Sequence, residues 1–210
     1  MEAKLLDFYG SDDFICDVAR VSHAKEAKNF TKEQNTKLLH FLAEHNHVSP
    51  FHHPVITLRM KAPVPIRTQC FKSKIGFAEN EESRRYISSR PELFVPGYFR
   101  SKPEGSIKQG SGGIHPRSDR WLDVYTTYCT EMIDTYMDAL EDGIAPEQAR
   151  FFLPQGVEVN WIWTGSLAAY ARYYNLRSVK DAQGESRDLA DEVSKLIEPL
   201  FPVSWKALVK

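Results

Sequence analysis

Val55-Ile56-Thr57-Leu58-Arg59-Met60-Lys61 alternates apolar with polar side chains: Ile56, Leu58 and Met60 fall on one face, Thr57, Arg59 and Lys61 on the other. A period of two is the pattern of a half-buried β-strand. Pro63 and Pro65 end it, because a proline has no N–H to give to a ladder. Toward the N-terminus, Thr31-Lys32-Glu33-Gln34 has the capping-box pattern, with Leu38, Phe41 and Leu42 following at helical spacing. This predicts a helix from about Thr31 to His45. Toward the C-terminus, a short helix is expected from Ile66 to about Ser73.

Farther along, Gly105, Gly110, Gly112 and Gly113 with two prolines mark the stretch 101–117 as an exposed loop and the candidate active-site flap. Asp119 is the expected cap of a long helix. Its apolar stripe, Trp121, Val124, Tyr125, Tyr128, Met132, Tyr136 and Leu140, reads as core, and Gly143 ends it. Pro146 suits the first position of a shorter helix carrying Arg150. Val157, Val159, Trp161 and Trp163 alternate with Glu158, Asn160 and Ile162 as a second strand. Helices follow after Thr164-Gly165 and from Ala182 to about Leu200. Strands and helices mix without a regular βαβ alternation, which predicts an α+β fold.

Composition narrows the function classes. Hydrophobic residues make up 42% of 210 residues, enough for a sizeable core in one domain, or in one domain with a long insertion. The charges, 27 basic against 28 acidic, give no overall field for nucleic acid or an anionic membrane. No apolar run approaches the ~20 residues of a membrane span. Cys16, Cys70 and Cys129 are few, odd in number and dispersed, which speaks against a disulfide framework. Acidic residues within Met1–Phe14 stand where a secretion signal needs a basic start. A cytoplasmic protein is expected. His45, His47, His52 and His53 lack a nearby cysteine, and no metal is expected.

The densest polar segment is Glu79-Asn80-Glu81-Glu82-Ser83-Arg84-Arg85-Tyr86. Its arginines offer planar forks matched to phosphate oxygens, and Ser83 offers a hydroxyl. By residue chemistry alone a solvated turn with weak surface ion pairs is the better reading, because charge runs are common. Asn80, Glu81, Ser83, Arg85 and Tyr86 match Asn-Glu-x-Ser-x-Arg-Tyr, the second half of the signature of the flavin-dependent thymidylate synthases. His47-x-Ser49-Pro50-Phe51-His52-His53 resembles that family's His-x-x-Pro-Phe-Glu-His element, and Arg67-x-Gln69 its Arg-Gln pair. Ala149-Arg150, Leu153-Pro154, Trp163-Thr164, Asn175-Leu176-Arg177, Ala182-Gln183, Glu185 and Arg187 follow in family order. The resemblance spans Ser22 to Arg187. Lys72-Ser73-Lys74 replaces the usual Arg-His-Arg, and Ser166, Ala168, Arg172 and Asp181 replace usual flavin contacts, as in a divergent, phage-like branch.

The resemblance implies a single domain over 1–210 with a mixed or antiparallel sheet packed against helices. It implies reductive methylation of deoxyuridylate (dUMP) to dTMP, with methylenetetrahydrofolate as carbon donor and FAD, reduced by NADPH, as hydride source. Gln69, Ser83, Arg84, Arg85, Arg150 and Arg177 would bind dUMP, with Arg177 and Glu81 as the catalytic pair. Ser22, His53, Lys72, Ser73, Lys74, Ile75, Glu81, Arg172 and Leu176 would face FAD. A homotetramer with shared active sites is implied, in the host cytoplasm if the branch is viral, with no specific nucleic-acid partner. Two other functions stay open: a dUMP-modifying enzyme with another product, such as hydroxymethyl-dUMP, and a non-catalytic nucleotide- or nucleic-acid-binding protein that has lost flavin.

Overall fold

The computed structural model describes residues 1–103 and 110–209. Its centre is the strand read from Val55, here β2 (Val55–Pro63). On one side it pairs with β1 (Glu2–Tyr9), on the other with β4 (Glu158–Ser166), and β3 (Phe77–Glu81) closes the far edge. Every pairing is antiparallel, so the mixed or antiparallel sheet expected above resolves to the second. Alternation decides the faces. Ile56, Leu58 and Met60 stand opposite Gly165, Trp163 and Trp161, and all three β2 side chains are fully buried. The other face is polar, with Thr57 and Thr164 hydroxyls 3.1 Å apart across the pair.

Helices cover the apolar face. α1 (Asp12–Arg20) brings Ile15 and Cys16, and α2 (Lys32–Glu44) brings Leu39 and Leu42. α6 (Leu167–Arg177) adds Tyr170 and Tyr173, α7 (Gly184–Ile197) adds Leu189 and Val193, and α8 (Pro202–Leu208) adds Trp205. The capping box at Thr31 and Gln34 forms as read, with both reciprocal bonds made. Asp12, whose carboxylate accepts from the N–H groups of Val203 and Ser204 at 2.9 and 3.0 Å, ties α1 to the start of α8.

The aromatic centre of the core is Trp163. Phe77 lies flat on it, with centroids 4.0 Å apart and planes at 14°, while Tyr170 and Tyr173 meet it edge-on. Each buried indole removes ~150–250 Å² of mostly apolar surface, about 4–6 kcal/mol by area. The Nε1–H groups of Trp161 and Trp163 are buried without partners, a penalty of ~1–3 kcal/mol each. Packing therefore outweighs the orphaned donors. Gly165 makes the stack possible, because a Cβ there would sit 2.4 Å from the Phe77 ring.

Several expectations are corrected. The polar segment from Glu79 is no turn at its start, since residues through Glu81 belong to β3. The strand read as ending at Trp163 runs on to Ser166, whose hydroxyl then caps α6 by accepting from Ala169 N–H. The long helix α4 (Ser118–Glu141) begins before Asp119, which lies in its first turn instead of capping it. Of its predicted stripe only Tyr136 is buried, and Trp121, Tyr128 and Met132 are exposed; the buried face is completed by Cys129 and Ile133, which the stripe left out. A helical face goes inward only where another element covers it, and the described residues leave the row of Trp121, Tyr128 and Met132 exposed. The last predicted helix breaks after Ile197, and Phe201 separates it from α8. β1, α1 and β3 were not expected at all. Of the predicted loop, 104–109 lie outside the described residues, but its base is tied by Ser101 N–H to Gly113 O at 2.8 Å and His115 N–H to Phe99 O at 2.9 Å.

Gly165→Ala should force the Phe77 ring off Trp163 and cost about 1–3 kcal/mol. For a chain of this size each kcal/mol is roughly 2–4 °C in Tm. A thermal melt with an unshifted midpoint would remove the stack from its structural role.

Candidate active site

α3 (Val64–Cys70) follows β2 directly and carries two polar residues that matter, Arg67 and Gln69. Two positions apart on a helix is about 200° of rotation, so they point to opposite sides. Arg67 faces the β3 edge, where its Nε lies 2.9 Å from Glu81 Oε2. Both atoms are buried, yet they are not aligned as a hydrogen bond, so the contact is a charge pair. Beside it lies a cavity of about 400 Å³ bounded by Arg67, Glu81, Glu82, Ser83, Arg84 and Arg150, with Leu153 to Gln155 on the far wall.

Local backbone explains the placement. Asn160 holds Glu82 twice: its O accepts from Glu82 N–H at 2.9 Å and its Nδ2 donates to Glu82 Oε2 at 3.0 Å, which ends β3 in register. The chain then turns: Ser83 O accepts from Tyr86 and Ile87 N–H, and Ser83 Oγ accepts from Arg85 N–H at 3.3 Å. Arg84 is anchored on Ser89 O. Opposite, α5 (Pro146–Ala149) delivers Arg150, whose Nε donates to Glu147 O at 3.2 Å, while Arg85 pairs with the Glu147 carboxylate at 3.2 Å. Three arginines against two glutamates line the cavity, and Arg67 is already neutralised by Glu81. Arg84 and Arg150 leave the opening net positive, suited to an anion.

Burial raises the Glu81 carboxyl, Arg67 opposes this, and Glu82 adds to it; the net shift is upward. The thiols of Cys16 and Cys70 are pushed up to about 11 by burial, against the nearby cations Arg20 and Arg177 respectively. Cys70 Sγ lies 3.6 Å from Tyr173 OH in the core, far from thiolate character.

Gln69 and Arg177 form a second group. Arg177 Nη2 donates to Gln69 O at 2.8 Å, and its Nε is buried without a partner. Neither residue lines the 400 Å³ cavity. A third group surrounds the turn after α3. Arg172 Nη2 donates to Ile75 O, Lys74 pairs with Glu79, and Ile75 and Leu176 are 72% and 53% exposed. Lys72 is exposed there too, whereas Ser73 is buried beneath the turn, its N–H on Cys70 O at 2.9 Å. His53 is exposed beside the start of β2. Ser22 lies on the turn after α1 with its hydroxyl 3.0 Å from His23 Nδ1. It shares no hydrogen bond or ion pair with the other groups among the described residues.

A family model described as thymidylate synthase complementing protein matches residues 4–203. The chain belongs to that family. The flavin-dependent thymidylate synthase of Thermosipho africanus is 30% identical over 99% of this chain and 90% of its own length. That of Thermotoga neapolitana is 31% identical over the same shares. Among solved structures, a UMP/dUMP methylase from Streptomyces cacaoi bound with 5-Br dUMP superposes with a TM-score of 0.88. It is 25% identical, covering 98% of this chain and 93% of that one. The α+β fold expected from the family resemblance is the one observed.

Sequence reading passed over Arg67 as a site residue, although it stands in the Arg67-x-Gln69 pair. It also missed Gln155 and Arg100, which no motif flags. Arg100 borders a second cavity of about 550 Å³ walled by Phe94, Tyr98, Phe99 and Tyr125, and Gln155 lines both cavities. Among the described residues, no helix is long and apolar enough to cross a membrane.

Because the folded Glu81 carboxyl holds its proton more tightly than the unfolded one, its contribution to stability is complete below the ordinary value of 4.5. That contribution is lost as pH rises through the higher folded value. Glu81→Gln should therefore flatten the decline in the urea midpoint from pH 4.5 upward. Identical slopes in the two proteins would refute the assignment.

Proposed function

We propose that this chain reductively methylates dUMP to dTMP, taking the methylene carbon from methylenetetrahydrofolate and the reducing equivalents of NADPH through FAD. The observation that carries the reading is the net-positive cavity in which Ser83, Arg84 and Arg150 surround Glu81. In it, Ser83 and the two arginines hold the nucleotide phosphate, with Arg85 at the rim. Arg177, whose Nε has no hydrogen-bond partner among the described residues, donates to the pyrimidine carbonyl and polarises the ring, with Gln69 beside it. Electrostatic positioning of this kind needs no enzyme nucleophile, which agrees with three buried thiols.

The surface at Lys72, Lys74, Ile75, Arg172 and Leu176 fits a flavin dinucleotide: uncovered apolar side chains suit the ring system, and flanking cations suit the diphosphate. When bound, the flavin supplies the hydride. β3 leads from this turn, where Glu79 pairs with Lys74, to Glu81 in the wall of the nucleotide cavity.

Arg150 and Arg177 lie in separate groups of one chain, so the reading places a complete site between copies, as expected for a homotetramer. The exposed row Trp121, Tyr128 and Met132, with Phe151 at 81% exposure, provides apolar surface for such assembly.

The purified protein should be yellow, or become so with FAD, and should convert dUMP, with UMP as control substrate. Arg177→Ala should abolish dTMP formation, and Arg150→Ala should raise KM for dUMP about 10–100-fold, the cost of a lost charged hydrogen bond. Chains carrying R150A and R177A, once co-assembled, should recover part of the activity that each lacks alone. Near-normal turnover by R177A, or no recovery on mixing, would contradict the proposed site. Cys70→Ala should keep its activity; loss of turnover in a folded variant would point to a thiolate mechanism instead.

A further inference from the structure

Gln69 is held by more than its own helix. Its Oε1 accepts from Ser186 Oγ at 2.7 Å, and its Nε2 donates to Gln183 Oε1 at 2.7 Å. Gln183 Nε2 in turn donates to Glu185 Oε2 at 3.0 Å, and the same carboxylate oxygen pairs with Arg100. Ser186 is 2% exposed and Arg100 and Glu185 are largely buried, while Gln183 between them is exposed, so the chain of bonds is anchored in the interior at both ends and crosses the surface in the middle. It links the start of α7 to α3 and to the segment leading into the 101–117 loop. Gly184 is part of the seat: a Cβ there would stand 2.7 Å from Arg100 Nη1.

The chain has a direction. An amide side chain fits either way round unless a neighbour can only donate or only accept. An ionised carboxylate only accepts, so Glu185 obliges Gln183 to turn its NH2 group toward it. Gln183 then offers oxygen to Gln69, Gln69 must answer with nitrogen, and its own oxygen is left for the Ser186 hydroxyl. Arg100 keeps the first member charged: its hydrogen bond, with those of the Glu185 backbone N–H and Gln183, lowers the carboxyl's proton affinity despite burial. Arg177 is anchored separately, on the main-chain O of Gln69, which α3 places whichever way the side-chain amide is turned.

We infer that Arg100, Glu185, Gln183 and Ser186 are positioning residues that lock the side-chain amide orientation of Gln69 for the nucleotide. This rests on the proposed role of Gln69 and Arg177 in binding dUMP. None of the four touches substrate in this scheme. They act by determining which atom of Gln69 is free to meet it. The arrangement also couples the nucleotide site to the loop base, because Arg100 pairs with Ile114 across the bridge that closes that loop.

The test is dUMP binding measured by calorimetry, with flavin content and Tm followed in parallel. Glu185→Gln keeps size and shape but lets either end face Gln183. It should weaken dUMP binding about tenfold, a loss on the scale of one charge-assisted hydrogen bond, without changing flavin content. Ser186→Ala should weaken binding to a similar degree and Ser186→Thr should restore it, which serves if E185Q does not fold. In a Gln69→Ala background, E185Q should weaken binding no further. Wild-type affinity in both E185Q and S186A, or additive losses in the double variant, would overturn the inference. Wild-type affinity in Gln69→Ala and Arg177→Ala themselves would instead overturn the nucleotide reading beneath it.

Discussion

A phenyl ring laid flat on an indole, over a residue with no side chain, holds the edge of this sheet. The Phe77–Trp163 stack needs Gly165 beneath it, and that contact fixes the register of β3 on β4. Once Phe77 faces Gly165, Glu81 must fall opposite Trp161. There it meets Arg67 from α3 and loses enough water for its carboxyl to be raised. The polar turn after Glu81 is thereby aimed at α5, and the cavity between them follows. An aromatic contact in the core thus sets the charge distribution at the surface.

α3 acts as a partition. Its seven residues follow a strand that ends in proline, and their helical rotation sends Arg67 and Gln69 in opposite directions. One side gathers the cationic cavity; the other gathers Gln69, Arg177 and the bond chain to Glu185 and Arg100. In the proposed reaction these two sides are brought to one nucleotide by separate copies of the chain. This gives the exposed row on α4 a purpose that a lone chain does not offer. A helix with both a covered and an uncovered apolar row is what an interface requires of a small protein that must surround several ligands.

The polar groups differ in how they are compensated. Asp12 is paired by two N–H groups at the start of α8, whereas the core indoles of Trp161 and Trp163 leave their N–H groups unpaired among the described residues and are held by packing instead. At the site, Arg177 keeps a buried donor unused, and Arg67 and Glu81 meet without hydrogen-bond alignment. Unsatisfied buried polar atoms are costly, so their presence in a native site points to a ligand that completes them.

The sequence by itself determined β2, the α2 capping box, the Gly143 stop and the family, because each depends on neighbours within a few residues or on motifs kept in order. It also named Ser83, Arg84, Arg85 and Arg150, which do gather around the Glu147 and Glu81 region. Only the tertiary structure decided that Arg177 stands apart from Arg150 in one chain, that half of the α4 stripe faces outward, and that Arg100 is tied to Gln69 through Glu185 and Gln183. The physical reason is range. Period and capping are local, whereas which apolar row is covered, and which amide is turned by which carboxylate, depends on groups up to 85 or 114 residues away that meet only after the sheet has formed.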